Sequence, residues 1–136
     1  MKEVQLAVNG SLMRGLELNI NLLNVNAEFV KETTTIDRYR LWSINDKYPA
    51  MLRDINKGKR ISLELWQLSP ETLLKVLEQE PSGLCVGKVE LIDRSWVFGV
   101  LGEPYICEDR LEITQWGGWR NYLDYRFSSN HQTVDL

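Results

Sequence analysis

The apolar run Val4-Gln5-Leu6-Ala7-Val8 stops abruptly at Asn9-Gly10, and no other stretch limits the fold as strongly. Five such residues suit one short buried strand, and Asn-Gly is a strong turn signal, so the chain must reverse there. A second glycine closes the loop Asn9-Gly10-Ser11-Leu12-Met13-Arg14-Gly15. Glycines at both ends let successive N–H groups point the same way, which makes a nest for a carboxylate or phosphate. All seven residues are therefore candidate ligand contacts, and Arg14 adds a guanidinium suited to gripping an anion with two parallel bonds. The two glycines have phosphate-loop spacing, but Leu16-Glu17 follows where Lys-Ser/Thr is required, which excludes ATP binding by that route.

With 136 residues, 43% hydrophobic and 26% charged, the chain is read as one domain with a single core. The domain is expected over residues 1–127, with a polar C-terminal tail over 128–136. The net charge of -3 comes with scattered Lys and Arg, so the positive field that nucleic acid or an anionic membrane needs is absent. Neither a leader pattern nor an apolar run near the roughly 20 residues of a membrane span is seen, and the expected compartment is the cytoplasm. Cys85 and Cys107 are accordingly read as free thiols. The single histidine, His131, falls in the tail. A Cys/His metal site and a histidine-based triad both lack their parts, and no metal or cofactor is expected.

Along the chain, residues 16–23 fit strand alternation and helical spacing equally, and the poor strand formers Asn19, Asn21 and Asn24 favour a short helix over 18–24; residues 27–30, prolonged by Thr33-Thr34-Thr35, predict a strand paired with residues 39–44. Asn45 to Pro49 reads as loop. Residues 61–66 alternate most cleanly, with Ile61, Leu63 and Leu65 on one face. Ser69 is an N-cap with Pro70 in the first helical position, Leu73, Leu74 and Leu77 form the buried side, and Glu80-Pro81 ends the helix. Residues 86–92 and 95–101 predict a hairpin about Asp93-Arg94, followed by an extended piece at 105–107. A final helix is predicted over 113–123 with Gly117 and Gly118 inside it. Three further residues stand out as site candidates. Arg40 lies on a strand, directed either outward or into the cavity. Glu103 sits on the irregular Gly102-Glu103-Pro104 segment. Trp119, beside Arg120, is placed to cover a site or a partner surface.

Taken in order, these pieces resemble the gamma-glutamyl cyclotransferase-like superfamily, and more closely the C-terminal domain of allophanate hydrolase. The first likeness rests on Gly10-Ser11-Leu12-x-x-Gly15, with Asn9 where cyclotransferases usually carry tyrosine. The second adds Leu18-Asn19, Phe29-Val30, Tyr39-Arg40-Leu41, Glu64-Leu65-Trp66, Gly87-x-Val89-Glu90-Leu91 and Ile113-Thr114-x-x-Gly117-Gly118-Trp119-Arg120-x-Tyr122-Leu123. That domain commonly has a histidine in the glycine loop, where this chain has Leu12. The resemblance implies an α+β fold: a small mixed β-barrel of five to six strands with a few flanking helices and an anion-holding loop at its mouth. It implies a carboxylate after the second helix as general base, at Glu80 or Glu78. It also implies a small carboxylate-bearing amide or carbamate as ligand, with decarboxylation of an N-carboxylated compound made by a partnering amidase as the associated chemistry. Two alternatives stay open: a non-catalytic assembly module for a separate amidase, and a cyclotransferase releasing 5-oxoproline. The oligomeric state is left open too.

Overall fold

The computed structural model describes residues 2–134. Its elements run β1 (Val4–Val8), α1 (Asn19–Leu23), β2 (Glu28–Thr34), β3 (Tyr39–Ile44), β4 (Tyr48–Arg53), β5 (Ser62–Leu68), α2 (Pro70–Glu78), β6 (Leu84–Glu90), β7 (Trp96–Gly102), β8 (Leu111–Glu112) and α3 (Trp119–Val134). Short 3₁₀ turns occupy Pro104–Cys107 and Thr114–Trp116.

The strands form a five-stranded sheet, β2-β5-β1-β7-β6, and a three-stranded sheet, β4-β3-β8. Among the described residues only β1 and β7 run parallel; the other pairs are antiparallel. The edges of the larger sheet curl round until Thr35 and Leu91 form one isolated bridge, with the Ile36 N–H donating to the Glu90 carbonyl at 3.2 Å. Contact at that single point does not zip the edges together. The expected barrel of five to six strands is therefore corrected to eight strands in two sheets without closure among the described residues, while the α+β class stands.

Strand β5 explains much of this arrangement. It lies between β2 and β1, and its residues Leu63, Glu64, Leu65 and Trp66 are all at most 2% exposed. Ile61, Leu63 and Leu65 share the inner face with Leu41, Tyr39 and Met51 in one core cluster, while Trp66 meets Phe29 edge-on across the other. Because β5 takes β2 as its neighbour, β2 is not free to pair with β3, and the predicted pairing of residues 27–30 with 39–44 does not form. Instead β3 pairs with β4 from Tyr39↔Arg53 to Ile44↔Tyr48. The residues read as loop up to Pro49 thus open strand β4, which tolerates proline because it is an edge strand.

Helix α2 begins as expected, with the Ser69 hydroxyl accepting from the Thr72 N–H at 3.3 Å. Its buried residue is Val76, flanked by half-buried Leu73 and Leu77, whereas Leu74 is 62% exposed. The helix packs through a narrower 73-76-77 stripe than the leucines suggested. At the C-terminal end, Gly117 adopts a left-handed conformation (φ 72°) that terminates the 3₁₀ turn, so both glycines precede α3 rather than lie within a helix over 113–123. Helix α3 continues through residues 128–134, which had read as the tail; residues 135–136 and the His131 side chain lie outside what is described. Residues 105–107, expected extended, belong to a 3₁₀ turn. Among the described residues, no helix is long and apolar enough to cross a membrane.

Candidate functional site

The Asn9–Gly15 loop is held by its carbonyls. The Gly10 carbonyl accepts from the Met13 N–H at 2.9 Å, the Ser11 carbonyl from the Leu18 N–H at 2.9 Å, and the Leu12 carbonyl from the buried Asn19 side-chain amide at 2.8 Å. In a trans peptide the N–H points opposite to the preceding carbonyl, so bonds that draw the carbonyls of Gly10 and Ser11 inward turn the N–H groups of Ser11 and Leu12 the other way. Among the described residues, neither of those two N–H groups has a hydrogen-bond partner. The start of the loop is fixed by Asn9, 3% exposed, whose side-chain amide donates to the Val100 carbonyl at 3.0 Å. Gly10 is required for close approach, since a Cβ there would lie 2.5 Å from Pro49 Cδ on β4. Gly15 serves differently, taking a left-handed conformation at φ 77° that L side chains rarely adopt.

Asn9, Gly10, Ser11 and Leu12 line a small cavity with Tyr48, Pro49 and Glu80, just beyond the end of α2. Its volume of about 20 Å³ is room for about one water molecule. Burial pushes the Glu80 carboxyl up from 4.5 to about 7, with no positive charge beside it to offset the loss of hydration. Tyr48 is half-buried, and burial raises its phenol as well, with Arg110 acting to lower it and Tyr105 and the Glu80 carboxylate adding smaller increases. Glu78, two residues earlier, is exposed on the last turn of α2 and does not line the cavity. Tyr48 was missed by sequence reading because it opens a strand that had read as loop.

The other candidate residues lie elsewhere. Arg14 turns behind the loop, where its backbone N–H donates to Glu64 Oε1 at 2.9 Å and its Nε to Glu64 Oε2 at 3.2 Å. Its Nη2 reaches Glu32 at 2.6 Å, and the guanidinium lies 3.7 Å over the Phe29 ring. Burial acts to raise the Glu64 carboxyl, but donors from Arg14, Arg120 and Trp66 outweigh it and hold the group below its usual range. Arg40 is committed to the other sheet: Nε and Nη2 donate to the two Glu112 oxygens at 2.9 and 2.6 Å, and Nη1 to Asp54 at 3.1 Å. These pairs raise its pKa and leave it far from the role of cavity arginine. Glu103 is exposed, and its backbone joins Gly83 to the following 3₁₀ turn. Met13 and Trp119, each 3% exposed, line a separate cavity of about 370 Å³ between β2, β5 and the start of α3. Cys85 and Cys107 are both free thiols. Among the described residues, no cluster of three or more His, Cys, Asp or Glu is arranged to hold a metal ion.

Residues 4–124 match the family model described as the allophanate hydrolase C-terminal domain. The chain belongs to that family. A solved protein specific to uropathogenic E. coli is 47% identical and superposes with a TM-score of 0.89, covering 91% of this chain and 98% of its own. The urea amidolyase of Lachancea kluyveri is 30% identical over 134 residues, which is 90% of this chain and 7% of that protein. The allophanate hydrolase of Kluyveromyces lactis is 26% identical with a TM-score of 0.86, covering 92% of this chain and 22% of its own. The family domain is thus found both nearly alone and as a small part of far longer proteins. A gamma-glutamyl cyclotransferase, 17% identical with a TM-score of 0.52 over 74% of this chain, shares the fold alone.

Proposed function

We propose that this domain binds a small carboxylate-bearing amide or carbamate at the Asn9–Leu12 cavity and that Glu80 moves a proton there. The observation carrying this reading is that a carboxyl titrating near 7 and two unpartnered N–H groups, those of Ser11 and Leu12, belong to residues lining one cavity. A group that titrates near neutrality both gives and accepts protons readily, and fixed N–H donors stabilise negative oxygen without reorganising. For an N-carboxylated ligand the balance is direct. As the C–N bond breaks and carbon dioxide leaves, the electron pair stays on nitrogen, which takes the Glu80 proton. The two amides meanwhile hold a remaining oxygen of the ligand. A cavity of about 20 Å³ receives a single ligand oxygen, and the rest of the ligand lies over the mouth.

The relatives support a setting beside an amidase on a separate chain, since they include a urea amidolyase and an allophanate hydrolase of which this domain matches a small fraction. Free thiols at Cys85 and Cys107 suit the reducing cytoplasm.

Thermal unfolding against oxalate, malonate, carbamoyl compounds, gamma-glutamyl amines and 5-oxoproline tests the ligand class. A ligand at 100 times its Kd adds about 2.7 kcal/mol, a shift of about 9 °C for a domain of this size. A selective response to the carboxylated amides and carbamates is expected. Response to none of these compounds would remove the ligand-binding reading and favour the assembly module, and response to 5-oxoproline and gamma-glutamyl amines alone would favour the cyclotransferase.

A further inference from the structure

The cavity between β2, β5 and the start of α3 is of a different order from the one at Glu80. At about 370 Å³ it has the size of an ordinary small-molecule pocket, and the two cavities share no lining residue. Its floor is the sheet surface where β2 and β5 pair Glu32 with Glu64 and Thr34 with Ser62, and opposed residues of this spacing present their side chains on one face. Its wall is the first turn of α3. That turn is set against β5 by the Ser62 N–H, which donates to the Gly117 carbonyl at 2.8 Å, and by Gly118, where a Cβ would come within 3.1 Å of Ser62 Cβ. Buried Met13 and Trp119 add apolar surface.

The charges around this cavity cancel. Arg14 meets Glu32 at 2.6 Å and Glu64 at 3.2 Å, and Arg120 meets Glu64 at 3.0 Å, so two guanidiniums answer two carboxylates and no net charge remains to attract an ion. Uncommitted hydrogen-bonding atoms do remain. Among the described residues, the Thr34 and Ser62 hydroxyls, the second Glu32 oxygen, the Asn121 side-chain oxygen and the Nε and Nη1 groups of Arg120 have no partner. Carboxylate and amide oxygens accept, guanidinium N–H groups donate, and hydroxyls do both. A ligand that answers all of them is neutral and carries donors and acceptors together. We propose that this cavity is a second binding site and takes a small neutral carboxamide or ureide, its NH₂ donating to Glu32 and Asn121 and its C=O accepting from Arg120. The site stands whether or not Glu80 moves a proton.

The test is amide NMR of the full chain with biuret as the probe. Biuret should move the amides of Thr34, Ser62, Arg120 and Asn121 saturably and leave those of Ser11 and Leu12 in place. Its affinity should change little between low and high salt, because no net charge is engaged. Thr34→Val keeps the branched shape and removes the hydroxyl, and Ser62→Ala removes the other. Each is expected to weaken biuret binding about 2- to 10-fold, the worth of one hydrogen bond. Thr34 is half-buried and Ser62 exposed, and either variant supplies the comparison should the other not fold. Biuret that moves none of those four amides, or that binds the variants as tightly as wild type, would overturn the proposal. Oxalate acting there in place of biuret would overturn the neutral class in favour of an anion, and glycerol in place of biuret would overturn the amide class in favour of a polyol.

Discussion

Glu80→Gln should make the domain more stable than wild type above neutral pH, by up to about 3 kcal/mol at pH 8 for a carboxyl raised from 4.5 to about 7. The sign follows from burial. Between those two pKa values the unfolded chain ionises Glu80 freely while the folded chain resists, so wild-type stability from this group is fully present below pH 4.5 and is lost as pH rises through about 7. Glutamine carries no charge to desolvate, and the slope disappears. Urea unfolding of both proteins at pH 4 and pH 8 checks this, with near-equal midpoints expected at pH 4 and a higher midpoint for the variant at pH 8. The same substitution should lower any turnover by roughly 10² to 10⁴, the usual contribution of a positioned acid or base. A group that is destabilising where the protein works is characteristic of sites kept for chemistry, and a gain in stability coupled to a loss of activity would be its mark.

Glu64→Ala is expected to act oppositely and to destabilise the domain by about 3 kcal/mol, the lower end for breaking a buried ion pair. It strips an acceptor from the buried Trp66 indole and from the Arg14 N–H, leaving donors without partners. The arginines themselves are partly exposed and regain water, which holds the loss to that lower end. The pH signature is also reversed. With its folded pKa depressed, Glu64 contributes stability above its ordinary value and loses it as pH falls through the lower folded value, as do Asp46, Asp54 and Glu112. Wild type should therefore be most stable near pH 5, between the acid loss from these carboxylates and the loss from Glu80 at higher pH. Denaturation of Glu64→Ala across pH 3 to 8 checks this, with a flatter acid limb expected.

Local signals that depend on few neighbours could be read before the structure was known. The turn after Val8, the Ser69-Pro70 helix start and the hairpin about Asp93-Arg94 all follow from residues within a few positions of one another. The expectation of a carboxylate after the second helix, at Glu80 or Glu78, came from the family likeness, and burial of Glu80 beside the loop is what only the fold adds. What escaped depends on distant partners. Glu64 looks like the polar position of an alternating strand, and only the placement of β5 between two other strands buries it. Arg14 seemed aimed at the ligand because its true partners, Glu64 and Glu32, are 50 and 18 residues away. β4 was hidden by Pro49, whose tolerance depends on the strand being an edge. Gly117 and Gly118 read as the interior of a helix over 113–123, whereas the left-handed Gly117 ends the 3₁₀ turn and α3 begins after both.

If Glu80 and the Ser11–Leu12 amides form one anion-responsive site, titration of Glu80 by carboxyl carbon NMR, with and without oxalate, shows it. The expected result is a midpoint near 7 in the free protein, a further rise when the bound anion places a like charge beside the carboxyl, and amide shifts concentrated at Ser11 and Leu12. A midpoint near 4.5 that oxalate leaves unmoved, with Ser11 and Leu12 silent, would contradict it.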